Sequence, residues 1–201
     1  MAKVAERIVF DIVYPFLSPQ LSDHQSGFRK KDGTSFQLLR LVQQWSEAVD
    51  DGYYVGVIFF DLKKAFDKVW HDGPLAKLEA LGVRGVALSW FRNYLADRLQ
   101  CTDVSGQTSA FADLHAGVPQ GAILSPLLFI AYVNDLPHLA SSSDVNLFAD
   151  DTSASVWAKS APDLSFKLQA AVDECLAWFS KWHLTINQKK SKFLVLRSKN
   201  T

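Results

Sequence analysis

Only two cysteines, Cys101 and Cys175, stand among the 201 residues. They cannot build a disulfide scaffold or a four-ligand zinc site, and they read as free thiols of a reducing compartment. The five histidines are scattered, with no His-Glu-x-x-His spacing. No sign of charge is in excess: 21 Lys and Arg balance 21 Asp and Glu. A histone-like or tail-type nucleic-acid binder would be strongly basic, so that class is excluded, although a local basic groove is not. Long apolar runs are missing too. The longest uncharged stretch, 114–134, is broken by Pro119 and Pro126. Its strongly apolar part is only Leu127–Val133, whereas a spanning helix needs roughly 20 mostly apolar residues. Glu6 and Asp11 interrupt any signal-peptide core. Repeats and low-complexity segments are absent. These absences lead to the expectation of a soluble, intracellular chain.

What is present suits a folded domain. At 48% apolar and 21% charged residues, the chain can bury a sizeable core as one domain or two small ones, and wholesale disorder is excluded. Apolar residues at helical spacing predict a helix over Val4–Leu17, ended by Pro15 and Pro19. A second helix is capped by Thr34 or Ser35, carries Leu38, Leu39, Val42, Trp45 and Val49 on one face, and stops at Asp50-Asp51-Gly52. Tyr53–Phe60, bounded by Gly52 and Asp61, reads as a buried strand. A short helix runs from Asp72 and Pro74 to Gly82, and another spans Val86–Leu95. Leu99–Val104 and Ser109–His115 flank Ser-Gly as a hairpin. Ser125-Pro126 reads as cap and first turn of a helix to about Asp135. Val145–Ala149 and Thr152–Trp157 form a second hairpin around Asp150-Asp151. Pro162 opens a long amphipathic helix to about Trp182. Leu184–Ile186 and Phe193–Leu196 read as strands around a Lys-rich turn. Helices and hairpins interleave without a steady βαβ rhythm, so the expected class is α+β with a mainly antiparallel sheet. The neutral total hides an acidic centre and a basic tail. Seven acids against two lysines lie between Asp135 and Glu174, and six basic residues with no acid between Lys181 and Thr201.

The chemistry concentrates in a few places. A carboxylate at the end of a buried strand, as at Asp61, is costly unless hydrated, paired or bound to a cation. A lone Asp there is most often a loop-start residue. Asp150-Asp151 sits at a hairpin tip where Asn-Gly or Asp-Gly is preferred, and a divalent cation would relieve the repulsion between the two acids. Three carboxylates from two strand ends suit Mg²⁺, which favours hard oxygen ligands. The pattern fits two-metal phosphoryl transfer. Gly117-Val118-Pro119-Gln120-Gly121 places an amide on a backbone of special shape beside that site. Phe66 lies five residues after Asp61 and, taken alone, reads first as core. Lys189-Lys190 reads as a solvated turn or a catalytic pair, and Arg29-Lys30-Lys31 as a phosphate-neutralising cluster or an ordinary surface one. The six tryptophans fall mostly on apolar helical stripes.

Together these segments resemble the reverse transcriptase domain of non-long-terminal-repeat retrotransposons, jockey-like or related. His24-Gln25-Ser26-Gly27-Phe28-Arg29 is similar to that family's Gln-x-Gly-Phe-Arg segment. Phe59 through Val69 is similar to its first palm motif, and Gly117 through Pro126 to its Gly-Val-Pro-Gln-Gly-x-x-x-Ser-Pro motif. Phe148-Ala149-Asp150-Asp151 is similar to its aromatic-Ala-Asp-Asp motif, and Leu184 through Ser191 to the palm motif that follows. The resemblance implies a polymerase palm with part of the fingers: residues 1–52 as partial fingers and connecting helices, residues 53–201 as the palm. It implies Asp61, Asp150 and Asp151 as ligands of two Mg²⁺ ions, with Mn²⁺ as a substitute. Phe66 would be the sugar-sensing gate. Gln120, Gly121 and Arg29 would be nucleotide-pocket residues. Lys190 would protonate the leaving pyrophosphate, and Lys30, Lys31 and Lys189 would contact nucleic acid. The implied partners are an RNA template, a DNA primer, dNTPs and the rest of a longer polyprotein, in the nucleus or cytoplasm.

The family's basic fingers hairpin would precede Glu6-Arg7-Ile8, and its thumb would follow Leu196. Neither fits in this sequence, nor does an endonuclease or RNase H segment. The expectation is therefore a fragment, a truncated element copy or a piece of a larger polyprotein. An RNA-directed DNA polymerase palm is the leading reading. Its alternative is a non-catalytic remnant that binds nucleic acid weakly at most. A phospho-acceptor signalling domain also uses three Asp and a Lys around Mg²⁺, but needs a parallel βα rhythm and an early acidic pair, and neither is present.

Overall fold

In a computed structural model of the chain, residues 2–30 and 32–198 are described. The first amphipathic stretch forms α1 (Ala2–Leu17) and carries Pro15 inside its last turn. The helix thus outlasts that proline by two residues, because burial of Tyr14 and Leu17 outweighs the one lost hydrogen bond. A 3-10 turn (Ser18–Gln20) holds Pro19. After a loop come α2 (Thr34–Asp50), whose cap position is Gly33, and β1 (Tyr54–Phe60). A 3-10 turn at Phe66–Lys68 leads to α3 (Asp72–Ala80) and α4 (Gly85–Leu95).

The expected hairpin after α4 is two nested antiparallel pairs. The strands β2 (Arg98–Gln100) and β5 (Ala112–Leu114) enclose β3 (Asp103–Val104) and β4 (Gln107–Thr108). Ser105 and Gly106 turn the tip with φ of +53° and +82°, which matches the Ser-Gly signal.

Next are α5 (Leu124–Tyr132), the short α6 (Leu136–Leu139), β6 (Asp144–Phe148), β7 (Asp151–Ala158), α7 (Ala161–Lys181) and β8 (Lys192–Leu196). Two sequence expectations change here. Ser125 does not cap α5: Ile123 holds the cap position, and the Ser125 hydroxyl donates to the Pro119 carbonyl at 2.6 Å. Leu184–Ile186 is not a strand but a single bridge, Leu62 to Ile186. The chain swings away from β1 at Lys64, whose φ is +50°, so pairing stops there. At α7 Pro162 lies in the first turn, as the sequence indicates, and the cap is Ser160, whose hydroxyl accepts the Asp163 N–H at 3.3 Å.

The main sheet has the order β6-β7-β1-β8, antiparallel throughout. The two faces of β1 alternate as a period of two requires. Val55 and Val57 cluster with Leu41 and Trp45 of α2, while Phe60 meets the ring of Phe179 on α7 at 5.7 Å. Helix α5 is buried along its whole length, beside α1 and α3. The fold is α+β, as the sequence indicates. Among the described residues no helix is long and apolar enough to cross a membrane.

Candidate functional site

The antiparallel register of β1 and β7 sets Phe60 opposite Thr152. One step further along the ladder, Asp61 leaves β1 where Asp151 enters β7. Phe148 pairs with Asp151 across the β6–β7 hairpin, so Ala149 and Asp150 form its tip. Asp61 and the adjacent pair Asp150-Asp151, far from it in sequence, therefore meet at one end of the sheet.

Their charges interact. The Asp151 carboxyl is pushed above the ordinary carboxylate range, first by burial and then by the charges of Asp150 and Asp61. Among the described residues, none of the three forms an ion pair. The donor set is all hard oxygen and suits Mg²⁺ or Mn²⁺, which need few protein ligands when water and phosphate complete the shell. Among the described residues no three such side chains are gathered closely enough to clasp an ion unaided. The residues fit an ion shared with a phosphate-bearing ligand rather than a closed protein cage.

On one flank of Asp61 lies a cavity of about 530 Å³ lined by Asp61, Lys63, Lys64, Lys68, Asn187 and Lys190. Lys190 thus faces the same space as Asp61, while Lys189 is exposed in the adjoining turn. The segment 185–190 is tied to the strand end by the Asn187 N–H donating to the Asp61 carbonyl at 2.7 Å and the Lys63 N–H to the Thr185 carbonyl at 2.8 Å. Four lysines around one acid make this cavity attractive to polyanions. Lys63, Lys64 and Lys68 were not singled out from sequence. Their signal was the local density of lysines just after Asp61.

A larger cavity, about 700 Å³, continues from Lys64 and Lys68 to Arg98 and the Gly117–Gln120 loop. That loop is docked on the 66–71 segment. The Gly117 N–H donates to the Val69 carbonyl at 2.8 Å and the Val118 N–H to the Phe66 carbonyl at 2.9 Å. Gly117 has a φ of +93°, and a Cβ there would come within 2.9 Å of the Asp67 carbonyl oxygen, so glycine is required. The Gln120 amide donates to the Asp67 carboxylate at 2.7 Å. Gly121, at φ +78°, faces open space.

Phe66 is half-buried, with its ring stacked on buried Phe129 at 4.5 Å and edge-on to exposed Phe28 at 6.2 Å. The basic cluster is less concentrated than the sequence suggested. The Arg29 guanidinium donates to the Ser22 carbonyl at 2.8 Å and lies 3.6 Å from the Asp23 carboxylate. The Lys30 ammonium sits 5.1 Å from the centre of the Tyr14 ring, against α1. Lys31 lies outside the described residues.

Residues 1–200 match the family model described as reverse transcriptase (RNA-dependent DNA polymerase). The chain belongs to the reverse transcriptase family. It is 32% identical over 200 residues to the "Probable RNA-directed DNA polymerase from transposon BS" of Drosophila melanogaster, covering 95% of this chain and 22% of that protein. It is 30% identical over 199 residues to the "RNA-directed DNA polymerase from mobile element jockey" of the same fly, covering 94% and 22%. The reverse transcriptase segment described here thus spans 22% of the length of these relatives. Apo telomerase from Candida tropicalis, truncated from its C-terminal domain, shares the fold. Its TM-score is 0.69 at 12% identity, over 97% of this chain and 41% of that one.

Proposed function

We propose that this chain is the catalytic palm, with part of the fingers, of an RNA-directed DNA polymerase that extends a DNA primer with dNTPs on an RNA template. Residues 53–201 form the palm in this reading, and residues 1–52 the finger-side helices and loop. The observation that carries the reading is the β1–β7 register, which sets Asp61 beside Asp151 with Asp150 at the neighbouring tip.

Asp61, Asp150 and Asp151 would hold two divalent ions, Mg²⁺ or Mn²⁺, which when bound acidify a primer 3′-hydroxyl and offset the charge of the triphosphate. The remaining roles belong to the chain's own groups. Lys63, Lys64 and Lys68 line the space beside Asp61 and neutralise phosphate oxygens. Lys190, in the same cavity, gives a proton to the departing pyrophosphate. Gln120, fixed by Asp67, and Gly121, open above it, shape the wall against which the incoming nucleotide rests. Phe66, backed by Phe129, forms the floor under its sugar. Arg29 belongs to the nucleotide pocket, and Lys30, Lys31 and Lys189 contribute positive charge along the nucleic acid. In the family's wider setting the chain would be one segment of a retrotransposon polyprotein, working in the nucleus or cytoplasm.

Incorporation of labelled dNTP on a primed RNA template tests the reading. The expected result is Mg²⁺-dependent, template-dependent incorporation that Asp61→Ala and Asp150→Ala each abolish while circular dichroism stays unchanged. Incorporation that survives Asp150→Ala would remove the site assignment. No template-dependent incorporation at all would favour a non-catalytic member of the family.

A further inference from the structure

The hairpin tip that carries Asp150 and Asp151 has no glycine. Ala149 takes its left-handed position, at φ +57°, a conformation that L-residues other than glycine seldom adopt. What holds it there comes from 124 positions away in sequence. Gln25 is fully buried, and its side-chain oxygen accepts the Ala149 N–H at 3.0 Å and the Gly27 N–H at 2.8 Å. The segment around Gln25 is laced to the strand leading into the tip. The Leu147 N–H donates to the His24 carbonyl at 2.8 Å, and the Ser26 N–H donates to the Leu147 carbonyl at 2.9 Å. Gly27 lies so close beneath the tip that a Cβ there would stand 2.3 Å from the Ala149 nitrogen.

The two N–H donors fix which way the amide points, because the reversed amide would face them with its own hydrogens. Its Nε2 is then buried with no acceptor among the described residues. A buried amide half left unpaired is unfavourable, so the two bonds to its oxygen are what this side chain is placed to make. One of them ends on the N–H of Ala149, the residue immediately before Asp150.

We propose that Gln25, seated with Gly27 beneath Ala149, is a positioning residue that sets the backbone of the Asp150–Asp151 tip and, through it, the divalent-cation affinity of the acidic trio. The proposal rests on the reading of Asp61, Asp150 and Asp151 as ligands. Mutually repelling carboxylates on an unanchored hairpin tip would swing apart, and an ion would then have to draw them together before it could bind. Partners that orient metal ligands in this way commonly change metal affinity by about 10–100-fold when removed.

The test is Mn²⁺ binding to the 201-residue chain, read from the paramagnetic resonance signal of free Mn²⁺ at a temperature where circular dichroism shows each variant folded. Gln25→Leu removes the acceptor at nearly constant volume, and Gln25→Asn draws it back by one methylene. Both are expected to weaken Mn²⁺ binding by about tenfold or more, and Gln25→Asn answers alone if Gln25→Leu does not fold. Gln37→Met is the structural control. The Gln37 amide is also buried and donates to the Leu147 carbonyl at 3.1 Å; it shares a cavity with Asp151 but bonds neither Ala149 nor either acid of the tip. It is expected to lower stability and leave Mn²⁺ affinity essentially unchanged. Wild-type affinity in folded Gln25→Asn would overturn the proposal. So would an equal loss in Gln37→Met, because affinity would then follow general stability. If Asp151→Asn binds Mn²⁺ as the wild type does, the ligand assignment falls and the positioning role falls with it. Loss in Asp151→Asn without loss in Gln25→Asn removes the positioning role alone.

Discussion

The carboxylate of Glu6, near the start of the first helix, accepts the backbone N–H of Ile123 at 2.6 Å and that of Leu124 at 3.4 Å. Helix α5 has no cap of its own, since Ile123 cannot supply one. Glu6 therefore places a buried negative charge at the positive end of the most buried helix, just after the Gly117–Gly121 loop. Glu6→Ala is expected to cost about 2 kcal/mol, the upper end for a lost cap, because the freed N–H groups have little access to water. Glu6→Gln should recover part of that loss, since its amide oxygen still accepts. Urea unfolding of the two variants checks the order.

Lys77 is a second buried charge with a different setting. Its side chain is 8% exposed and pairs with Asp135, which is 36% exposed. The ammonium also sits 3.6 Å from the centre of the Trp182 ring. Burial lowers the Lys77 pKa, and Asp135 partly opposes that shift. Removing the acid strands the lysine, so Asp135→Ala is expected to cost about 3 kcal/mol, the low end for breaking a buried pair. Lys77→Met keeps the stem over the tryptophans and needs no counter-charge, and it should cost less than Asp135→Ala. A larger loss in Lys77→Met would show that the ammonium stabilises this corner through a contact other than Asp135, such as the Trp182 ring.

At the acidic trio the sign of the pH dependence follows from Asp151. Its carboxyl lies above the ordinary value of 3.8 in the folded chain, so the folded state holds that proton more tightly than the unfolded state. Stability from this group is present at low pH and is lost as pH rises from 3.8 through the raised folded value. Without divalent ions, Asp151→Asn should therefore raise the melting temperature at pH 7, and the advantage should vanish below pH 3.8. Mg²⁺ should reverse the order at pH 7 by stabilising the wild type through mass action and leaving the variant behind. Melting curves at two pH values, with and without Mg²⁺, read all of this. A variant less stable than wild type in the absence of metal would show that Asp151 is not under repulsion.

Short-range signals were legible in the sequence. The run ending at Phe60 and the acids at 150 and 151 are punctuated by local turn chemistry, and the periodicity of 161–181 is helical wherever it is placed. What escaped depends on contacts across the fold. Ser125-Pro126 has the composition of a cap, yet the cap comes from Glu6, 117 positions away. Leu184–Ile186 has strand-like composition, but the strand end it meets turns off after one bridge. The bond from the Arg29 guanidinium to the Ser22 carbonyl and its approach to Asp23 within its own loop have no signal in the sequence. Gln25 stands out as part of the Gln-x-Gly-Phe-Arg segment, but nothing nearby in sequence tells that its partner is Ala149. At the site, the carboxylates were readable as acids out of place, and the lysines that line the cavity beside Asp61 were not.

Phe66 presents the sharpest choice between packing and specificity. One side of its ring lies on Phe129, at 4.5 Å and 21° between planes, and its other edge meets exposed Phe28. The ring is thus backed by the core and only half covered by it. If the open part lies under the sugar of an incoming nucleotide, it excludes a 2′-hydroxyl by collision rather than by a hydrogen bond. Phe66→Val in an active enzyme should then raise ribonucleotide incorporation more than it lowers deoxyribonucleotide incorporation. The stability loss for Phe66→Ala should fall short of the ~3–5 kcal/mol of a fully buried phenylalanine, because the ring is only half covered. The two incorporation efficiencies, measured with a melting curve alongside, separate the roles. A ratio that stays at the wild-type value while stability drops by the full core amount would make Phe66 a packing residue, with discrimination lodged elsewhere along the Gly117–Gly121 wall.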